Sequence, residues 1–236
     1  MSQITAFSSG GGGAGTVETL TGNTGGAVSP NGSGNINVVG DGTTIDVVGN
    51  PGTNTLTISA TTGAGSLILI QTQTASNSAS LTFTTGITPT YNNYLLTYTN
   101  VFPVTGGADI GLQISTNGGS TYINSGYASG LPVLVYSTGA TGAYTNATYM
   151  LLGASLRNFA IALNGTVYLQ NFTSGSATGW PALTGTVNQQ ETGGAYFAGF
   201  PVSTYETGST VINAFKIFAS TGNIAQGTFS LYAIAQ

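Results

Sequence analysis

The chain has 236 residues, of which only eight are charged: two Lys or Arg and six Asp or Glu, giving a net charge of −4. An ordinary soluble domain is about 25% charged, so solubility here rests on hydroxyls and amides, and much of the surface is expected to be committed to self-contact. Two cations offer almost nothing to a phosphate backbone or an anionic lipid surface, which argues against nucleic-acid and membrane partners. The longest aliphatic run, Leu67 to Ile70, is far short of the roughly 20 residues that a membrane-crossing helix needs.

Residues 1–33 are mostly Gly, Ser, Thr and Asn around the short apolar patch "TVETL". That composition reads as a flexible leader that docks on another protein. The next stretch, 34–59, is "GNINVVGDGTTIDVVGNPGTNTLTIS", a hairpin written almost twice, with turns predicted at Asp41-Gly42 and at Asn50-Pro51-Gly52-Thr53. Strand alternation puts Ile36, Val38, Ile45, Val47, Leu56 and Ile58 on one side. Six aliphatic side chains cannot offset the entropy lost in ordering three short strands. The segment is therefore expected to fold against copies of itself, three apolar faces meeting as a β-prism. The plainer reading adds these strands to the edge of a downstream sheet.

A linker of small residues, 60–66, leads to residues 67–236, where alternating runs of β-branched and aromatic residues alternate with turn clusters. Leu81 and Phe83 share one strand face, as do Ile110, Leu112 and Ile114. "NNYLLTYTNV", "TVYLQNF", "VINAFKIFAS" and "GTFSLYAIA" are further strands, with Phe215, Phe218 and Phe229 most simply read as core. About ten strands over this length suit an all-β domain of sandwich or jelly-roll type, and the length suffices for a core of its own.

The chain has no His and no Cys, which removes Ser-His and Cys-His nucleophilic pairs and thiolate or imidazole metal sites. Six carboxylates allow few catalytic pairs. Glu191 and Glu206 are near in sequence, and Asp109 sits apart beside a Gly-Gly turn, so no catalytic residue, cofactor or metal site is expected. The aromatic supply is the positive signal: twelve Tyr, ten Phe and one Trp. Tyr122, Tyr127, Tyr144 and Trp180 lie in turn-rich stretches among Asn, Ser and Thr, a mixture that suits stacking on and hydrogen bonding to neutral sugars. The same rings also suit covering sheet ends or subunit contacts.

Residues 15–59 resemble a segment found in tail-fibre and related fibre proteins of bacteriophages and prophages, and 91–122 with 220–235 resemble a module appended to such fibres. The strands "IGLQIS" and "GTFSLY" lack the Arg and Asp usual in that module. The resemblance implies a homotrimeric virion protein on the tail or capsid exterior, assembled in the host cytoplasm. It would dock on other virion proteins through the N-terminal segment and bind a host surface glycan through residues 67–236. Two alternatives are a structural filament or capsid-decorating subunit with no receptor, and a polysaccharide-degrading spike.

Overall fold

The computed structural model describes residues 19–21, 26–41, 44–53, 55–60, 66–136, 138–139, 141–173, 179–207 and 211–235. Every regular element among them is a β-strand, and none is a helix long and apolar enough to cross a membrane. The chain forms two compact units, Met1–Gly63 and Ala64–Gln236. Most of the leader expected to dock on other virion proteins, 1–18 and 22–25, lies outside the described residues.

In the first unit, β1 (Leu20–Thr21) pairs with β2 (Ala27–Val28), a short ladder inside the stretch read as a flexible leader. A loop held by Asn31 follows, whose Oδ1 accepts the amides of Ser33 and Asn35, both at 3.0 Å. The hairpin repeat is only half a hairpin. β3 (Ile45–Asn50) pairs with β4 (Thr55–Ala60), whereas the first copy, residues 35–41, forms no strand. Between the two copies the Asp41 carboxylate accepts the amides of Thr44 at 2.6 Å and Ile45 at 2.9 Å, and also the Thr44 hydroxyl, which shapes the entry to β3. At the far end of the hairpin, Asn50 Oδ1 accepts the Gly52 amide at 3.0 Å and sets the turn.

Among the described residues the second unit holds thirteen strands, β5 to β17. One sheet contains β5 (Leu67–Ser78), β7 (Tyr94–Pro103), β9 (Tyr127–Val135), β10 (Thr141–Asn146), β12 (Leu163–Gln170), β13 (Ala182–Gln190), β14 (Tyr196–Gly199), β15 (Val202–Tyr205) and β17 (Ile224–Ile234). Its order is β10-β9-β14-β13-β12-β7-β17-β5, with β15 also between β13 and β9. β14 and β15 thus fill one strand position, broken at Phe200-Pro201, where a proline cannot donate to the ladder. The other sheet contains β6 (Ser80–Phe83), β8 (Ala108–Ser115), β11 (Met150–Leu156) and β16 (Ala214–Ala219), in the order β11-β8-β16-β6.

One hydrophobic core is shared by the two sheets. Leu81, Phe83, Ile110, Leu112 and Ile114 are all buried in it, as their alternation predicts, and so are Phe215 and Phe229, while Phe218 is partly buried. Phe83 stacks on Phe215 with ring centroids 4.7 Å apart. Polar groups also bridge the layers. Tyr98 donates its hydroxyl to the Leu152 carbonyl at 2.9 Å. Gln189 accepts the Ala154 amide at 3.2 Å and donates to the Ala154 carbonyl at 2.6 Å. The Leu151 amide donates to Ser129 Oγ at 2.8 Å, and Ser129 in turn shares a 2.7 Å hydrogen bond with Ser203. These bonds answer the requirement that buried polar groups be satisfied.

Candidate functional site

The four aromatics singled out in the sequence do not form one site. Tyr127 opens β9 and is buried at 4% exposure. Its hydroxyl donates to the Ile123 carbonyl at 2.9 Å and accepts the Ile114 amide at 3.1 Å, and its ring lies 5.5 Å from that of Tyr205. This corrects the expectation that Tyr127 contacts a glycan: it is a core residue whose polar end is spent on the loop before β9. Tyr122 is half-buried under the Lys216 ammonium, 4.9 Å from its ring centre. Trp180 is exposed just before β13. Among the described residues, no two of the four share a ring contact or a hydrogen bond.

Tyr144, on the edge strand β10, belongs to a polar cluster that the sequence hides. Its hydroxyl donates to Glu191 Oε2 at 2.9 Å and its ring packs on Phe197. Burial, then the Glu191 carboxylate and Asp109, push its phenol up to about 12. Nearby, Tyr149 donates to Asp109 Oδ2 at 2.8 Å while the Ser155 amide donates to Asp109 Oδ1 at 2.8 Å. Ser155 has a φ of 51° in an irregular stretch of β11, and its hydroxyl lies 3.2 Å from that of Thr192. Such left-handed serines are uncommon and gather where a chain is held against its preference. Asp109 is therefore not isolated, as its place in the sequence suggested. Both of its oxygens are taken up, by Tyr149 just before β11 and by Ser155 on β11, while Tyr144 ties β10 to Glu191 just after β13, so the geometry reads as internal bracing.

The outer face of the nine-stranded sheet has a different character. The five charged residues of the second unit are Asp109, Arg157, Glu191, Glu206 and Lys216, and none lies in any of the nine strands. Register brings hydroxyls into a row across five of them: Thr72 pairs with Ser230, Ser230 with Thr97, Thr97 with Thr166, and Thr166 with Thr186. A shorter second row runs Thr74, Thr228, Thr99. Thr97, Thr99, Asn164, Thr166, Thr186 and Asn188 line a shallow trough of about 410 Å³. Gly165 floors it, because the Tyr98 ring occupies the core side of that position. These residues were missed in the sequence. Their signal was the period-2 spacing "TQT", "TYT", "TGT" and "TFS", which places hydroxyls opposite the core on each strand but does not say which strands adjoin.

In the first unit, Val47 stands opposite Ile58, Ile45 opposite Ala60 and Gly49 opposite Leu56, so Ile45, Val47, Leu56 and Ile58 share one face, while Val48 lies on the other. Ile45, Leu56 and Ile58 are exposed at 38%, 52% and 50%, and Val47 is half-buried. Ile36 and Val38 reach this region from the irregular segment instead of from a strand, and with Leu56 and Leu20 they line a cleft of about 420 Å³. A side chain on Gly40 would run into the Ile45 carbonyl, so glycine is what lets the irregular segment run against β3.

Among the described residues, no group of three or more His, Cys, Asp or Glu side chains is placed to hold a metal ion. No protein-family model, no curated protein and no solved structure matches the chain.

Proposed function

We propose that the chain is the subunit of a homotrimeric fibre of bacteriophage type, a short tail fibre, fibre tip or head fibre that attaches its particle to a cell-surface glycan. The observation that carries this reading is the exposed apolar face of the β3–β4 hairpin. Ile45, Leu56 and Ile58 lie exposed beside the half-buried Val47, and contiguous apolar surface of this kind marks an interaction site. Three copies closing around an axis would bury it as a β-prism, a closed symmetric solution that leaves no free edge. The second unit, in this reading a jelly-roll-like head, would carry the recognition surface, and the leader would dock on other virion proteins. A mass in solution near three times 23.6 kDa is expected. A monomer would overturn the reading, as would unchanged adsorption to host cells after exchange of residues 67–236.

A second reading, a self-assembling filament or decorating subunit without a receptor, draws on β5. This twelve-residue strand ends the nine-stranded sheet and exposes Leu67 and Leu69 at 53% and 57%. A long, uncharged edge is a template for adding another strand. An open-ended distribution of sizes, in place of a single trimer, would select it.

A further inference from the structure

We infer that the outer face of the nine-stranded sheet binds a neutral polysaccharide in the trough over Thr97, Asn164, Thr166, Thr186 and Asn188, with the ring of Tyr168 beside it. This rests on the attachment role proposed above and gives it a ligand class and a place.

Apart from those of Asn164, the side-chain hydrogen-bonding groups of the trough are unspent. Among the described residues, the side chains of Thr97, Thr99, Thr166, Thr186 and Asn188 bond to no other group. By contrast, Thr72 and Ser230, in the same row, bond to each other at 3.0 Å. Asn164 is held in place, accepting the Asn100 amide at 2.9 Å and donating to the Ala162 carbonyl at 3.1 Å. Neighbouring strands lie about 4.8 Å apart and alternate residues along a strand about 6.7 Å apart. The hydroxyls therefore form a grid that engages a run of ligand hydroxyls without a deep pocket.

Tyr168 projects from the same face of β12, two residues beyond Thr166, and is 47% exposed. Its Cα partners are Leu95 and Thr184. Leu95 is buried although it stands outside the core cluster, which leaves an apolar footing beside the phenol ring. An aromatic face next to free hydroxyls and amides matches the apolar faces and equatorial hydroxyls of a pyranose.

Charge decides the class of sugar. With no cation in any of the nine strands, the face has no positive charge to set against a sulfate, phosphate or carboxylate, which favours an uncharged ligand. A second copy of the chain fits less well, because the centre of a self-interface is apolar and this centre is hydroxyl and amide.

The test is binding of the full chain to surfaces bearing a neutral glucan, a neutral mannan, a neutral galactan or heparin, with the size in solution measured in parallel. At least one neutral polymer should retain the chain, equally at low and high salt, since there is no charge pair to screen. The double variant Thr166→Val and Thr186→Val, and separately Tyr168→Ala, should each weaken retention at least tenfold, while Tyr122→Ala and Trp180→Ala should not change it. If the valine variant folds poorly, Asn188→Asp at an exposed position serves in its place with the same expected loss. Retention by heparin alone, by none of the four, or undiminished in the variants overturns the site. A change in particle size in the variants overturns it too, by showing the face to be an interface between copies. A wild-type trimer that binds no polysaccharide removes this site and leaves the fibre, whereas a wild-type monomer removes the fibre whatever the sugars do.

Discussion

Tyr98 and Gly165 face each other across β7 and β12, and the tyrosine occupies the space a side chain at 165 would need. A Cβ on Gly165 would sit 2.5 Å from Tyr98 Cζ and 2.6 Å from its hydroxyl oxygen. That hydroxyl is fixed by the Leu152 carbonyl of the opposite sheet, so the ring has nowhere to go. Gly165→Ala is expected to cost about 1–3 kcal/mol of stability. Tyr98→Phe should cost a similar amount, about 1–3 kcal/mol, by leaving the carbonyl unpaired. Because Tyr98→Phe also removes one of the clashing atoms, the double variant should lose less than the sum of the two. Denaturant melts of the four proteins measure this coupling.

Ser129 is the hub of a short relay between the layers, joining Leu151 on β11 to Ser203 on β15. Ser129→Ala strands both the Leu151 amide and the Ser203 hydroxyl, and about 1–3 kcal/mol should be lost. Ser203→Ala leaves the bond between Ser129 and Leu151 intact and should cost less, about 0.5–1.5 kcal/mol. Equal losses in the two variants would show that the relay does not join the sheets.

Alkaline pH should open the edge of the large sheet. The fold favours the neutral phenol of Tyr144, whose pKa is raised to about 12 by burial first and Glu191 next. Burial and Asp109 raise Tyr149 in the same direction. A raised phenol keeps its full stabilising effect below the ordinary value near pH 10, and that effect is lost as pH climbs through the folded value. Melting temperature should therefore fall between pH 10 and 12, and less steeply in Tyr144→Phe and Tyr149→Phe. In Glu191→Gln the Tyr144 titration, followed by phenolate absorbance, should move down without reaching the ordinary range, since burial is the larger cause.

The two faces of the hairpin should behave oppositely. Val47→Asp or Ile58→Asp puts a charge into the face expected to be buried between copies, and the mass in solution should drop to 23.6 kDa. Val48→Asp lies on the other face, opposite Thr57, where the side chain is already exposed, and should leave the mass unchanged. Analytical ultracentrifugation of the three variants decides it.

Much of the second unit was legible in the sequence because alternation reports directly on burial. Ile110, Leu112 and Ile114 repeat every second residue, and all three are fully buried. Tyr127 was not legible: it sits among turn residues that suggest surface, and the Ile123 carbonyl and the Ile114 amide of β8, which take up its hydroxyl, explain its burial. Nor was the bracing by Asp109 and Glu191, which lie far apart in the chain and both bear on Tyr144 through the pairing of β8 with β11 and the bridge from Leu156 to Glu191. The hairpin repeat misled because two nearly equal copies read alike, whereas only the second enters a ladder, β3 with β4. The hydroxyl row required the order of five strands, which no local pattern contains.

A sheet of nine strands without a single charge also lacks the residues that usually keep strands from pairing out of turn or with strangers. Correct alignment in this chain has to come from shape: rings over glycines, and a proline break where β14 gives way to β15. The same absence leaves dissolved ions nothing to weaken. A ligand held on this face, as proposed above, would stay bound as well in brine as in fresh water.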